Sequence, residues 1–377
     1  MSKLPVEILV SIMCLLTTDE AARMSVLSRR WHKIWNLSIR ITPRLCFFLD
    51  RGWSSDIKLR DLRKKRRKRI IEVYQVLKLH KAPTLHEFSV IAVDLRSDDH
   101  HHIEARMDFA AEKHVKELTL KLNSLMFYDA SFIADNFHSL RVLYLEGINI
   151  TADLVHRLFS NSPILERFSL LSFNKLHRLS IVSAPNLNSL YIGRCRGLQH
   201  LEISSSAENL NTIQIIYGVN FESVNVSAPN LSHIILAIHG RAFKLDAYVT
   251  LLSQIKRLTF DVYTEIISAA FPQFPEFSKL EHLELIMDHC SKIIPVCRLL
   301  DILKAAPFLN TFSFKVVKLN NFAGSQYEVE FLLDLLEYAV SVEKIFIGFM
   351  GSSIWGRHYE DKLIINMKNS ALSVPSN

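Results

Sequence analysis

A six-residue unit, φ-x-x-φ-x-φ with φ apolar, recurs along most of the chain and leaves little freedom in what it can fold into. It reads LHEFSV from residue 85, VKELTL from 115, LRVLYL from 140, LERFSL from 165, LNSLYI from 187 and LNTIQI from 210. It continues as LSHIIL from 231, IKRLTF from 255, LEHLEL from 280, LNTFSF from 309 and VEKIFI from 342. Successive units begin 21 to 33 residues apart. The φ-x-φ end of each unit has the two-residue period of a strand with one buried face. One strand per coil cannot bury that face alone, but stacked neighbours bury each other's, so the pattern predicts a solenoid with a parallel ladder of strands.

A second set, LHRLSI at 176, LQHLEI at 198 and FESVNV at 221, falls halfway between members of the first. Proline separates the two. Pro83, Pro163, Pro185, Pro229 and Pro307 each stand two residues before the opening residue of a first-set unit, and none does so in the second set. A proline there turns the chain into a strand without removing a ladder hydrogen bond. The first set therefore reads as the inner, concave ladder and the second as short strands behind it. The longer coils have room for a return helix, and helices are expected in DFAAEKH, DASFIADNF, TADLVHRLFS, VCRLLDILKAA and EVEFLLDLLEYAV. The array is thus expected to be helix-backed at both ends and strand-backed in the middle. The basic stretch leads into IIEVYQVLKLH, read as a helix with Ile70, Ile71, Val73, Tyr74 and Leu77 inward.

The x positions face solvent and are free to specify a ligand. In chain order the candidate target-facing residues are Arg141, Tyr144, Arg167, Asn188, Tyr191 and Gln214, then His233, Lys256, Arg257, Glu281 and Glu284. Mixed in sign and rich in amide and phenol groups, it suits a folded protein or peptide better than a polyanion.

The first forty residues differ. Leu4-Pro5 opens a helix with Ile8, Leu9, Ile12, Leu15 and Leu16 on one stripe. Thr17 to Glu20 forms a T-x-x-E capping box that starts a second helix. SVLSRRWHKIW then places Trp31 and Trp35 four residues apart on one helical face, and Pro43 ends helical character. A unit this small buries too little surface to stand alone, so its apolar stripe needs a second body, either the rest of the chain or another protein.

LPVEILVSIMCLLTTDEAARMSVLSRRWHKIW, residues 4 to 35, resembles an F-box, in the version found in large plant families; Thr17 stands where those families often carry proline. The resemblance implies docking on the Skp-type adaptor of a cullin-based ubiquitin ligase. By position it implies Leu4, Pro5, Ile8, Leu9, Ile12, Leu16, Val26 and Trp31 as adaptor contacts. The repeat spacing resembles that of leucine-rich repeats (LRR), and EVEFLLDLLEYAVSVEKIFIGF, 328 to 349, resembles the FBD segment of plant F-box/LRR proteins. The expected organisation is an α/β chain: an F-box at 1–41, a basic linker and helix at 42–80, an LRR array (a horseshoe) at 81–318 and an FBD-like cap at 319–377.

The remaining signals exclude more than they assert. The stretch 58–69 holds nine Lys or Arg and one Asp, more than the whole net charge of +7. It reads as a solvated helix lead-in, as a nuclear-localisation patch, or, least well, as a nucleic-acid contact, since no aromatic residues interleave its charges. Five scattered cysteines without a CxxC spacing read as reduced thiols. DDHHH at 98–102 reads as a polar loop, because consecutive histidines cannot converge on one ion. No nucleophile motif or phosphate loop is present, so neither catalysis nor a cofactor or metal is expected. Neither a secretory leader nor a membrane span is expected, which points to nucleus or cytoplasm. The function so implied is a non-catalytic substrate receptor, with the F-box holding the adaptor and the ladder holding a target protein. The alternative is a binding scaffold or ligand receptor with a vestigial F-box.

Overall fold

The computed structural model describes residues 4–48, 59–92, 100–122, 130–173, 175–195, 197–216, 221–238, 245–263, 277–288, 316–322, 326, 329, 333, 344–349 and 362–366. These fall into two compact bodies, Met1–Leu176 with Ser183–Leu187, and His177–Val182 with Asn188–Asn377.

The first body opens with three helices, α1 (Val6–Leu15), α2 (Thr18–Ser25) and α3 (Arg29–Ile41). The capping box forms: Thr17 Oγ1 accepts from Glu20 N–H, and the Glu20 carboxylate accepts from Thr17 N–H at 3.0 Å. Ser28 caps α3 by accepting from Trp31 N–H at 3.2 Å, and α3 ends two residues before Pro43. Leu9 and Met13 of α1 pack against Ile34, Trp35 and Ile39 of α3 in a small core.

A ladder follows: β1 (Arg44–Phe48), α4 (Leu59–Leu79), β2 (Glu87–Ala92), α5 (His100–Glu112), β3 (Glu117–Leu122), α6 (Ser131–Asn136), β4 (Val142–Glu146), α7 (Ala152–Asn161) and β5 (Arg167–Leu171). All the pairings from β1 to β5 are parallel. β1 lies outside the repeats legible in the sequence. RLCFF lacks the opening φ-x-x of the unit, yet it pairs with β2 residue for residue. Two expectations are corrected here. Ile70, Val73 and Leu77 of α4 are buried, but Ile71 and Tyr74 are exposed: Ile71 lies about 100° round the helix from Ile70, and Tyr74 flanks the buried face on the side away from Val73 and Leu77. His100–His102 form the first turn of α5 and not a loop, since Ile103, Met107 and Ala110 give the segment a buried helical face.

In the second body the strands alternate between two sheets. They are β6 (Arg178–Ile181), β7 (Ser189–Gly193), β8 (His200–Ile203), β9 (Thr212–Ile216), β10 (Ser223–Val226), β11 (His233–Ile238), β12 (Arg257–Tyr263), β13 (His282–Asp288), β14 (Val316–Phe322), β15 (Lys344–Phe349) and β16 (Lys362–Asn366). A parallel ladder runs β7-β9-β11-β12-β13-β14-β15, and antiparallel β16 follows β15. β6, β8 and β10 form a separate parallel sheet, so the three intermediate units are strands as the proline register requires. Between β11 and β12 the chain passes through a 3-10 turn (Leu245–Tyr248) and the short α8 (Val249–Leu252). The expected unit at 309–314 and the expected helix at 296–306 lie outside the described residues. So does most of the helix expected at 328–340. The described strand nearest the 309 unit is β14.

The φ residues make the core. Phe88, Leu118, Leu143, Phe168, Leu190, Ile213, Ile234 and Leu258 occupy the same place in successive coils, and each is at most 1 % exposed. Each contributes roughly 1.5–3 kcal/mol of gross transfer free energy, which is what holds one coil to the next. Gly193 ends β7 where a Cβ would meet Ile216 Cγ1 of β9 at 2.6 Å. Gly193→Ala is therefore expected to destabilise the coils around β7 and β9 by about 1–3 kcal/mol through overpacking, read as lower amide protection in those two strands.

Candidate functional site: a helical docking face and a ladder face

On the three-helix module, apolar side chains remain uncovered. Val26 is 84 % exposed, Leu15 77 %, Leu27 69 % and Ile8 48 %, with Leu4, Val6, Leu37 and Ile41 also open. Ile8 and Leu15 share one stripe of α1, and Val26 and Leu27 occupy the α2–α3 turn. Of the eight positions implied by the F-box resemblance, Leu4, Pro5, Ile8 and Val26 are exposed and Ile12, Leu16 and Trp31 half-buried. Leu9 differs. It is 1 % exposed, because it lies on the α1 face turned toward α3 and serves the core. The paired tryptophans divide: Trp31 stays at the surface, while Trp35 is buried against the first coil.

The helical module is welded to that coil. Arg69 of α4 pairs with the buried Asp19 of α2 and also with Glu72 at 3.2 Å. Arg69 Nε donates to the Phe48 carbonyl, and Cys46 N–H donates to Thr18 Oγ1 at 3.0 Å. The backbone N–H groups of Lys81 and Ala82 both donate to the Arg40 carbonyl at 2.9 Å. His80 is buried in the same joint, Nε2 3.1 Å from the Thr42 carbonyl, with its ring edge-on to Phe109. Burial, with Lys113 nearby, pushes the His80 pKa below its usual value, although the Thr42 carbonyl opposes the shift. A depressed histidine pKa means stability that is complete above the unfolded-state value and is lost as pH falls through the folded one. Amide protection in α3 and at the start of β2, measured relative to the intrinsic exchange rate at each pH, is accordingly expected to fall below about pH 6.5, and His80→Phe to remove that dependence. Nothing in the sequence marks the Asp19–Arg69 contact, whose partners lie fifty residues apart. Beside it opens a cleft of about 680 Å³, with Val26, Trp35, Phe47, Val73 and Val76 on its walls and Arg23, Lys65 and Lys68 among its lining residues.

The ladder faces carry the other predicted residues. In the first body Arg141 pairs with Glu166, Arg167 lies 3.9 Å from Glu117, and Tyr144 donates to Glu146 at 2.6 Å. In the second body Tyr191, Gln214, Ile235, Thr259 and Glu284 stand in one register row across β7, β9, β11, β12 and β13. His233, Arg257 and His282 stand in the row two residues earlier. Asn188, Lys256 and Glu281 lie just before their strands, exposed, with Lys256 Nζ 3.3 Å from Glu281.

His233 Nε2, Thr259 Oγ1 and Glu284 form a chain, at 3.1 Å and 3.3 Å. The Thr259 hydroxyl proton is committed to Glu284, so the imidazole meets oxygen lone pairs and must donate. An imidazole so placed cannot act as base toward that hydroxyl, and Thr259 is buried. The chain is a structural relay across three strands. Burial first, then the Arg257 charge, lowers the His233 pKa, and Glu284 opposes them. Among the described residues no three His, Cys, Asp or Glu side chains are placed to hold a metal ion.

A small helical module with an uncovered apolar surface, joined to parallel coils with buried leucines, defines a binding protein of the F-box and leucine-rich-repeat class. A family model described as "At1g61320/AtMIF1, LRR domain" matches residues 57–330, and one described as "F-box domain" matches residues 1–41. The chain belongs to that leucine-rich-repeat family and carries an F-box. It is similar to the F-box/LRR-repeat protein At3g03360 of Arabidopsis thaliana, 28 % identical over 228 residues. That match covers 52 % of this chain but only 43 % of the relative. It is also similar to the F-box/FBD/LRR-repeat protein At5g56420 of the same plant, 22 % identical over 403 residues, covering 92 % of this chain and 91 % of the relative.

Proposed function

We propose that this chain is the substrate-receptor subunit of an SCF-type ubiquitin ligase. Its F-box docks on a Skp-type adaptor, and through it a cullin, while the ladder face grips a target protein. The observation that carries this reading is the set of apolar side chains left open on the three-helix module although its own core is filled. The chain supplies no chemistry of its own in this scheme. Holding the target on the ligase raises the effective concentration of acceptor lysines at a catalytic centre carried by another subunit. No cofactor takes part. In this scheme the protein works in the nucleus or cytoplasm.

Capture by an immobilised Skp-type adaptor tests the proposal. Binding is expected for the full chain and is expected to be lost when Leu4 and Pro5 are both replaced by alanine, both being exposed. Equal capture of the two proteins would undo the interface. Adaptor binding by a chain that never assembles with a cullin would favour a scaffold over a ligase subunit.

A further inference from the structure

Arginines within the strands follow a rule, and one breaks it. Arg44 of β1 lies 3.5 Å from Glu87, its register partner on β2. Arg167 of β5 reaches Glu117, and Arg178 of β6 reaches Glu202 on β8 at 2.7 Å. The lysines Lys121 and Lys256 obey it too, meeting Glu146 and Glu281. Each of these cations is neutralised by a carboxylate on another strand or at its mouth, so this part of each face is closed on itself.

Arg257 stands differently. Its two register partners are histidines, His233 on β11 and His282 on β13. It is exposed, and among the described residues no carboxylate lies within ion-pair distance of it. The acidic groups of the next strand are engaged elsewhere: Glu281 meets Lys256, and Glu284 accepts from Thr259. Neighbouring strands lie about 4.8 Å apart, so the guanidinium sits between two imidazole-bearing positions in a row of nitrogen donors. On the same face Gln214 of β9 and Tyr191 of β7 supply neutral hydrogen-bonding groups.

We propose that Arg257, flanked by His233 and His282, is the anchor on the second body's ladder for a carboxylate side chain, Asp or Glu, of the target. This inference rests on the ladder face being the target surface and adds the chemistry of what it takes. A guanidinium free of an internal partner presents a planar fork that matches a carboxylate in two parallel hydrogen bonds. Among the described residues the other strand arginines each meet a glutamate and this one meets none, so an acid from outside is what completes it.

The experiment selects peptides from a random library of extended ten-residue sequences on the full chain held by its adaptor. A parallel selection uses the Arg257→Glu variant. The wild type is expected to enrich Asp or Glu at one position. Arg257→Glu is expected to lose those peptides by about tenfold or more in affinity and to enrich Lys or Arg there instead. Inversion of the preferred charge is a readout that a merely structural role for Arg257 would not produce. Adaptor capture and the thermal midpoint of the variant, equal to those of wild type, show that the fold is intact; for an exposed side chain they are expected to be. Acidic preference unchanged in the variant, or bound peptides with no acidic preference, overturns this anchor and leaves the ladder as a target surface. No peptide retained by either protein overturns the target surface and the anchor together.

Discussion

Replacing Arg69 by methionine is expected to destabilise the joint between the F-box helices and the first coil by about 3 kcal/mol. The mechanism is an uncompensated charge. Asp19 is only 7 % exposed, and Arg69 is its ion-pair partner. Methionine fills much of the arginine's volume but leaves the carboxylate buried without a cation. Asp19→Asn in the Arg69→Met background should recover most of the loss. Hydrogen exchange resolved to α2, α3 and α4 checks both, since a multi-part chain has no single unfolding free energy. Equal protection in the wild type and Arg69→Met would show that the pair contributes nothing to the joint.

The second large effect separates surface from core within the F-box. Val26→Asp places a charge at the most exposed apolar site on the module. It is expected to lower adaptor affinity by about a hundredfold or more while leaving the thermal midpoint in place, because a desolvated anchor of an interface typically contributes several kcal/mol. Leu9→Ala should do the reverse. It opens a cavity between α1 and α3, costs about 3 kcal/mol of stability, and weakens adaptor binding only as far as it unfolds the module. Titration calorimetry against the adaptor, paired with thermal melts, reads both. A Val26→Asp chain that binds as tightly as wild type would remove the α2–α3 turn from the contact.

In the proposed receptor, the joint and the docking face would make geometry the function. Bonds from α2, α3 and β1 to α4 and the start of β2 leave the F-box little freedom relative to the first coils. A rigid joint of this kind restricts where a bound target is presented, and effective concentration depends on that restriction.

Much of this was legible in one dimension. The φ-x-x-φ-x-φ unit located the ladder strands from β2 to β13 because a buried coil tolerates few departures from its pattern. The prolines separated front strands from back strands for a local steric reason. Thr17 and Glu20 marked the start of α2 because a capping box spans only four residues. What local pattern carries, a sequence states directly.

The rest depended on residues far apart in the chain. RLCFF is too short and unpatterned to declare itself a strand, and it becomes one only because β2 offers an edge in register. Leu9 shares a stripe with Ile8 and Ile12, but only the packing of α3 decides which of them is covered. Arg69 was one of nine basic residues in a run until Asp19, fifty residues earlier, singled it out. Arg257 was one x position among many until register set histidines on both sides of it. Periodicity records which face of an element is apolar, whereas partner choice and charge compensation are set by which elements meet, and that is decided only when the coils stack.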